Sequence, residues 1–373
     1  MRIGIMLRAY DRPGGIGIYS RNIIQHLLRL DRENQYLLLY NNPGHVGTYA
    51  HLPNVEELAL PAANQIIWDQ VLAARALARW GADLVFNTKF SLPLTLKAKK
   101  VMVLHGATWY THPHMYPWHD IAYVRLFMPL YCRAADFLIS NSELTTNDFK
   151  RIVKVPPAKI ETVLLAAADH FKLIEDQEAL AKVRAKYNLP QRFILTVTSY
   201  EDKRKNFSGL LEAFTLCRRE YPDIRLLVVG KDCERYAVDF DLAGRGLDRA
   251  VIFPGWVEQV DLPAIYNLAA AFAFPSIYEE FGIPVVEAMA CGCPVAGANS
   301  GALPELTQGA ALLSDPAKPE LLAQNLNSIL SSPDTAQRLR EQGLQRAGDF
   351  SWAESARKTL DIFQRVQLGE VAA

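Results

Sequence analysis

Residues 271–293, AFAFPSIYEEFGIPVVEAMACGC, decide the fold. The run 271–274 is apolar without a break, as in a parallel strand covered on both faces. Pro275 and Ser276 stop it. Pro284 falls where a helix accepts proline as its first residue, because the missing N–H has no partner there anyway. Residues 285–290 continue the helix and Gly292 ends it. Strand, short loop and helix in that order leave the backbone N–H groups of Phe281, Gly282 and Ile283 pointing out of the helix start. That is a ready site for an anion or a sugar hydroxyl. Gly282 lets a ligand approach the backbone closely. Two carboxylates, Glu279 and Glu287, frame the turn with seven residues between them. Glu280 reads as an ordinary acid near a helix start.

Outward from this stretch, the second half of the chain alternates. Strands are expected at 193–198, 225–229, 251–253, 271–274 and 294–297 with helices between, which gives a parallel, doubly wound sheet. Between the first strand and its helix stands EDKRKNF, residues 201–207. Taken alone, Lys203, Arg204 and Lys205 are a solvated charge run. Their place at a strand's carboxyl end and a helix start is where phosphates bind. Gly230 and Gly255 also follow strands and by themselves mean tight turns. Surface helices are expected at 319–330 and 335–348, and Ser351 opens a last helix to Val366.

The first half begins with a strand at 2–7 and a glycine-rich loop, RAYDRPGGIG, at 8–17. Ile16, Tyr19, Ile23, Ile24, Leu27 and Leu28 then recur at helical spacing. The loop is not the dinucleotide fingerprint, and the strand near 35–40 does not end in the acid that would hold a ribose. Residues 65–80 form an amphipathic helix, expected to pack on a sheet, with a membrane-surface face as the alternative. Short buried strands are expected at 83–86, 101–104 and 136–140, and His105 closes the second of these. Residues 109–133 hold His112, His114 and His119 among aromatics. Pro113 and Pro117 interrupt the spacing that would bring the histidines onto one metal. A loop over the domain face and a sugar-binding aromatic surface both fit the stretch. Residues 160–164 close the first domain, and residues 169–190, charged and helical, read as the linker.

A chain of 373 residues suits two domains. Zero formal net charge argues against nucleic acid as the partner. No apolar run is long enough for a spanning helix. The N-terminus lacks the apolar region of a signal peptide. Cys132, Cys217, Cys233, Cys291 and Cys293 form neither a disulfide framework nor a zinc spacing, which fits a reducing cytoplasm.

The stretch E-E-F-G-I-P-V-V-E-A-M-A-C-G resembles the signature of the retaining glycosyltransferases of family four, which have the GT-B fold. It departs at Glu280, where the family usually has glycine. The resemblance spans nearly the whole chain and is thin between residues 41 and 100. It implies two Rossmann-like domains facing across a cleft. One is an acceptor-side domain, 1–168, completed by the C-terminal helix 351–373. The other is a nucleotide-sugar domain, 169–350.

Residue by residue, the resemblance puts Glu279 by the donor sugar and Glu287 on the ribose hydroxyls. Arg204 and Lys205 match the family's R-K-N variant and would grip the pyrophosphate, while Lys203 has no family counterpart. Gly14, Gly15 and Gly17 would face the donor phosphates and the acceptor. His105 would touch the donor sugar, although its neighbour here is Gly106 instead of the usual aspartate. Gly230 and Gly255 would line the base and ribose pocket. The glycine usual before Asp169 is replaced by Ala168.

The activity implied is hexosyl transfer with retention from a nucleotide-sugar, GDP-mannose ahead of UDP-sugars, to a hydroxyl of a glycan, lipid-linked or small-molecule acceptor. No metal is required, because cations and helix starts can stabilise the leaving diphosphate. The expected location is the cytoplasm, with the inner membrane face as a place of peripheral contact through the first domain. Two other readings share the architecture: a non-catalytic glycan-binding module, and an NAD-dependent oxidoreductase.

Overall fold

The computed structural model describes residues 1–12, 14–200 and 202–370. Pro13 of the glycine loop, Glu201 of the basic stretch and residues 371–373, the end of the tail after Leu368 that the sequence reading expects to fray, lie outside the described residues. The chain divides into two compact units, Met1–Leu165 with the segment from Ser351 onward, and Ala166–Phe350.

In the first unit the strands are β1 Arg2–Leu7, β2 Gln35–Tyr40, β3 Val55–Ala59, β4 Leu84–Asn87, β5 Lys99–Leu104, β6 Phe137–Ser140 and β7 Ile160–Thr162. They form one parallel sheet in the order β3-β2-β1-β4-β5-β6-β7. Helix Gly15–Leu30 turns Tyr19, Ile23, Ile24, Leu27 and Leu28 into the core, the face that its periodicity predicts. The C-terminal helix Trp352–Leu368 is capped by Ser351, whose hydroxyl accepts from Glu354 N–H. It packs on this unit: Trp352 meets Tyr19 edge-on at 5.8 Å, and Ser355 Oγ donates to the Leu164 carbonyl at 2.6 Å.

The second unit holds β8 Phe193–Val197, β9 Arg225–Val229, β10 Val251–Ile252, β11 Ala271–Phe274, β12 Val295–Ala298 and β13 Leu312–Ser314. Their order is β10-β9-β8-β11-β12-β13, all parallel. Both strands at the centre are buried, apolar runs, and Ala271 and Phe272 pair with Ile194 and Leu195. The chain goes one way from β8 to β9 and the other way from β8 to β11. The loops after β8 and β11 therefore diverge and leave a crevice at the strands' carboxyl ends, the usual ligand position in such sheets.

Several elements differ from their sequence reading. Strand β3 carries Glu56 and Glu57 side by side at a sheet edge, so no apolar alternation marks it. Strand β13 has only three residues. Helix 65–80 is continuous but widens to a π-helical turn at Trp68–Ala73. Residues 109–133 are not a loop: helix Trp118–Ala134 follows Pro117, which stands at its N-cap, and contains Pro129. Residues 169–190 are helical in part, as expected of that linker, but they are tied to the second unit. They include helix Gln177–Lys186, and Lys186 pairs with Glu258 at 2.8 Å and Asp261 at 2.7 Å.

Candidate active site

The loops after β8 and β11 meet at the switch point of the second sheet. Asp202 caps a single 3₁₀ turn, Lys203–Lys205, by accepting from Arg204 N–H. Asn206 then takes a left-handed conformation and caps helix Phe207–Glu220. Its side-chain amide donates to the Pro275 carbonyl at 3.2 Å and the Pro316 carbonyl at 2.9 Å. Ile277 N–H donates to the Arg204 carbonyl at 2.7 Å. These bonds hold the basic turn against the glutamate loop.

Lys205 Nζ donates to Glu279 Oε1 at 2.6 Å and stands 4.7 Å from the centre of the Phe274 ring. Arg204 forks onto Asp202, Nε to Oδ1 at 2.9 Å and Nη2 to Oδ2 at 2.8 Å, and its Nη1 reaches Glu280 Oε2 at 3.2 Å. Two cations thus face three carboxylates. Lys203 points to solvent. Glu280 is a correction to the sequence reading: it is an ion-pair partner of Arg204, not a bystander at a helix start. Burial pushes its carboxyl up to about 7, against the pull of Arg204. A protonated Glu280 would leave Arg204 and Lys205 facing two carboxylates, Asp202 and Glu279.

Helix Ile283–Ala290 begins at Gly282, with Pro284 as its second residue instead of its first. Gly282 has φ 113, and a Cβ there would come within 2.8 Å of the Leu303 side chain, so the turn needs glycine. Phe281, Gly282 and Ile283 stand at the helix start, where N–H groups have no acceptor within the helix. Sequence reasoning missed Gly301. Its φ is +57, and a Cβ would lie 2.2 Å from the Glu279 carbonyl oxygen. Ala302 N–H donates to the same oxygen at 2.8 Å. The loop after β12 thereby fixes the backbone of Glu279, a contact that only the tertiary fold reveals.

Glu287 lies on the same helix but makes a different contact. It is buried and accepts from the Tyr266 hydroxyl at 3.2 Å. Burial pushes its carboxyl up to about 7, and the Tyr266 hydrogen bond opposes that. Gly230 has φ +152 with its Cβ position 1.8 Å from the Thr198 carbonyl oxygen, so its need for glycine arises within the protein. Gly255, at φ +76, faces open space.

The other expected site residues belong to the first unit. Gly14 is the N-cap of helix Gly15–Leu30 and has open space around it. Gly17 abuts its own loop, with its Cβ position 1.9 Å from the Arg12 carbonyl oxygen. His105 Nε2 lies 2.7 Å from the Thr88 carbonyl, and its ring packs edge-on against Tyr19 at 5.0 Å. Burial pulls its pKa down to about 4, so the ring is neutral at pH 7. A carbonyl can only accept; Nε2 therefore carries the proton and Nδ1 is left as an acceptor. His112 and His114 have ring centres 6.0 Å apart, and His119 lies 3.7 Å from Asp120. Among the described residues no group of three His, Cys, Asp or Glu side chains is placed to hold a metal ion. Among them also, no helix is long and apolar enough to cross a membrane.

Two doubly wound units, one with a basic turn and a glutamate loop at its switch point, define a GT-B sugar-transferring enzyme. Residues 179–346 match the family described as glycosyl transferases group 1, and residues 13–164 match glycosyltransferase family 4. With both units matched, the chain belongs to the family-four glycosyltransferases. It is 27% identical to the O-antigen chain mannosyltransferase B of Escherichia coli, over 94% of this chain and 96% of that protein. It is 28% identical to the serotype-specific mannosyltransferase WbdA of Escherichia coli, over 62% of this chain but only 29% of that longer protein. Among solved structures, Alr3699/HepE of Anabaena in complex with UDP-glucose has a TM-score of 0.78 at 18% identity, covering 98% of this chain and 99% of that one.

Proposed function

We propose that the second unit binds a nucleotide-sugar, GDP-mannose ahead of UDP-sugars, and that the enzyme transfers the hexosyl unit with retention to a hydroxyl of a glycan, lipid-linked or small-molecule acceptor. The observation that carries this reading is the meeting of Lys205 and Glu279 at 2.6 Å, from two loops that flank a switch point. Lys205 and Arg204 stabilise charge on the leaving diphosphate, aided by the N–H groups of Phe281, Gly282 and Ile283. Glu279, fixed by Gly301 and Ala302, holds sugar hydroxyls. Glu287 accepts from the ribose hydroxyls. Gly230 and Gly255 shape the turns beside the base. In the first unit, His105 and the loop of Gly14, Gly15 and Gly17 serve the donor sugar, its phosphates and the acceptor.

The acceptor proton passes to a donor phosphate oxygen, so the mechanism needs no separate protein base, and Lys205, Arg204 and the helix starts supply the positive charge that a metal would bring. Similarity to mannosyltransferases favours mannose. The UDP-glucose complex of the Anabaena protein keeps UDP-sugars as the second choice.

The test is a thermal-shift panel of GDP, UDP, GDP-mannose, UDP-glucose and NAD. A ligand that binds only the folded state raises the melting temperature with concentration. GDP and GDP-mannose should give the largest shifts, and Glu287→Ala should reduce them. Stabilisation by NAD alone, or by none of the five, would overturn the reading.

A further inference from the structure

Several elements of the first unit converge on His105. It follows β5 directly, between Thr88, the first residue past β4, and Asn141, the first past β6. The sheet order β4-β5-β6 therefore sets neighbouring strand ends around one imidazole. Helix Gly15–Leu30 adds Tyr19 and Ser20. These neighbours are almost wholly buried: Tyr19 is 1% exposed, Asn141 4%, and Ser20 and Thr88 0%. His105 is only half-buried, so it is the one member of the group that a ligand can reach.

Each neighbour holds a different part of the residue. The Thr88 carbonyl takes the Nε2 proton, and the Thr88 hydroxyl lies 2.8 Å from Ser20 Oγ. The Tyr19 ring meets the imidazole edge-on, at 78° between the planes. The Tyr19 hydroxyl has no partner among the described residues, so the ring is the part that touches His105 to effect. Asn141 Nδ2 donates to the His105 carbonyl at 3.2 Å. Strands β5 and β6 stop pairing at Leu104 and Ser140, and this bond stands where the next rung of the ladder would be. Gly106 follows at φ +145, and a peptide next to glycine swings freely unless something holds it. The core of a sheet needs neither an amide nor hydroxyls; buried with partners, they make one place rigid.

We infer that Tyr19 and Asn141 are positioning residues for sugar transfer. Asn141 fixes the backbone of His105 and Tyr19 fixes its ring, so that Nδ1 stays in place as an acceptor for a substrate hydroxyl. The inference rests on the reading of His105 as a group that serves the donor sugar. A ring held on both sides gives up little freedom when that hydroxyl arrives, whereas a rocking ring gives up more.

The test is a double-mutant cycle on the full chain, read as nucleoside diphosphate release from GDP-mannose and from UDP-glucose with a mannoside acceptor present. Asn141→Ala and Tyr19→Leu should each lower kcat by about two- to tenfold, with GDP affinity unchanged. His105→Ala should lower it at least as far. In the His105→Ala background the same two changes should cost nothing further, because the group they position is gone. Tyr19→Phe keeps the ring and should retain most of the rate. Nitrogen NMR of labelled histidine adds a readout without turnover: His105 should be a single neutral tautomer with Nδ1 unprotonated in the parent and in Tyr19→Phe, and a mixture in Tyr19→Leu. The inference is overturned if both single variants turn over like the parent, if their losses persist in the His105→Ala background, or if Nδ1 carries the proton in the parent. Failure of the His105 reading shows separately, as a parental rate in His105→Ala. Failure of the glycosyl-transfer reading shows as absence of GDP and UDP binding to the parent, whatever the tautomer.

Discussion

Replacing Lys205 by methionine removes the ammonium and keeps a stem over Phe274, so it isolates charge from packing. The ammonium lies 2.6 Å from Glu279, and the two side chains are only 16% and 10% exposed. A hydrogen bond from such a group to a phosphate oxygen contributes roughly 1.5–3 kcal/mol net. If that bond strengthens as the diphosphate leaves, its loss lowers kcat by about ten- to a hundredfold. The variant also orphans a nearly buried carboxylate beside the incoming diphosphate, so this range is a lower bound. The assay is the initial rate of nucleoside diphosphate release from GDP-mannose with acceptor present. Parallel titrations with guanosine and with GDP complete it. Guanosine should bind Lys205→Met like the parent, GDP should bind more weakly, and kcat should fall. Adding Glu279→Gln separates the two effects, because it removes the orphaned charge. If kcat of Lys205→Met stayed within about threefold of the parent, the reasoning would be refuted. Full recovery in the double variant would refute it too, since Lys205 would then only neutralise Glu279.

On the proposed function, Glu280 should make donor binding pH-sensitive. With its carboxyl raised to about 7, it is neutral below that pH and leaves Arg204 to Asp202 and the donor; above it, a further carboxylate competes for Arg204. GDP affinity of the parent should therefore fall, relative to Glu280→Gln, between about pH 6 and about pH 8, and parallel titration curves for the two proteins would count against this. Gly301→Ala should cost about 1–3 kcal/mol by denaturant unfolding, because its φ is +57 and the new methyl would meet the Glu279 carbonyl. It should also depress kcat; an unchanged kcat would show that the position of Glu279 does not matter. The transfer rate should survive excess EDTA. Complete loss restored by one specific metal would redirect attention to His112, His114, His119 and Asp120.

How much of this could be read in advance varies with how local the physics is. The 271–293 stretch needs only its neighbours: an apolar run, a stop, a proline and a glycine at the two helix ends. Strand β11 and the helix after it accordingly fall where the residues place them, give or take the position of Pro284. Helix Trp118–Ala134 was obscured because Pro113 and Pro117 read as interruptions, although Pro117 sits harmlessly at the cap; the helix also tolerates Pro129 inside. Ion-pair partners are less legible still. The basic run 203–205 announces cations, but nothing in it says that Asp202 and Glu280 take Arg204 while Glu279 takes Lys205. The same holds for Gly17, Gly230 and Gly301. Gly17 and Gly230 read as a ligand loop or a plain turn, Gly301 drew no reading, and only the fold shows backbone carbonyls where a Cβ would be.

The central claim is retaining hexosyl transfer from a nucleotide-sugar, and the anomer formed tests it most directly. Purified full-length protein is incubated with GDP-mannose and a simple mannoside acceptor, and proton NMR is recorded from the first minutes, before any released sugar mutarotates. The account predicts GDP release matched by a new α-mannosidic signal, with UDP-glucose slower. A β-configured product, or a product formed without release of a nucleoside diphosphate, would contradict it.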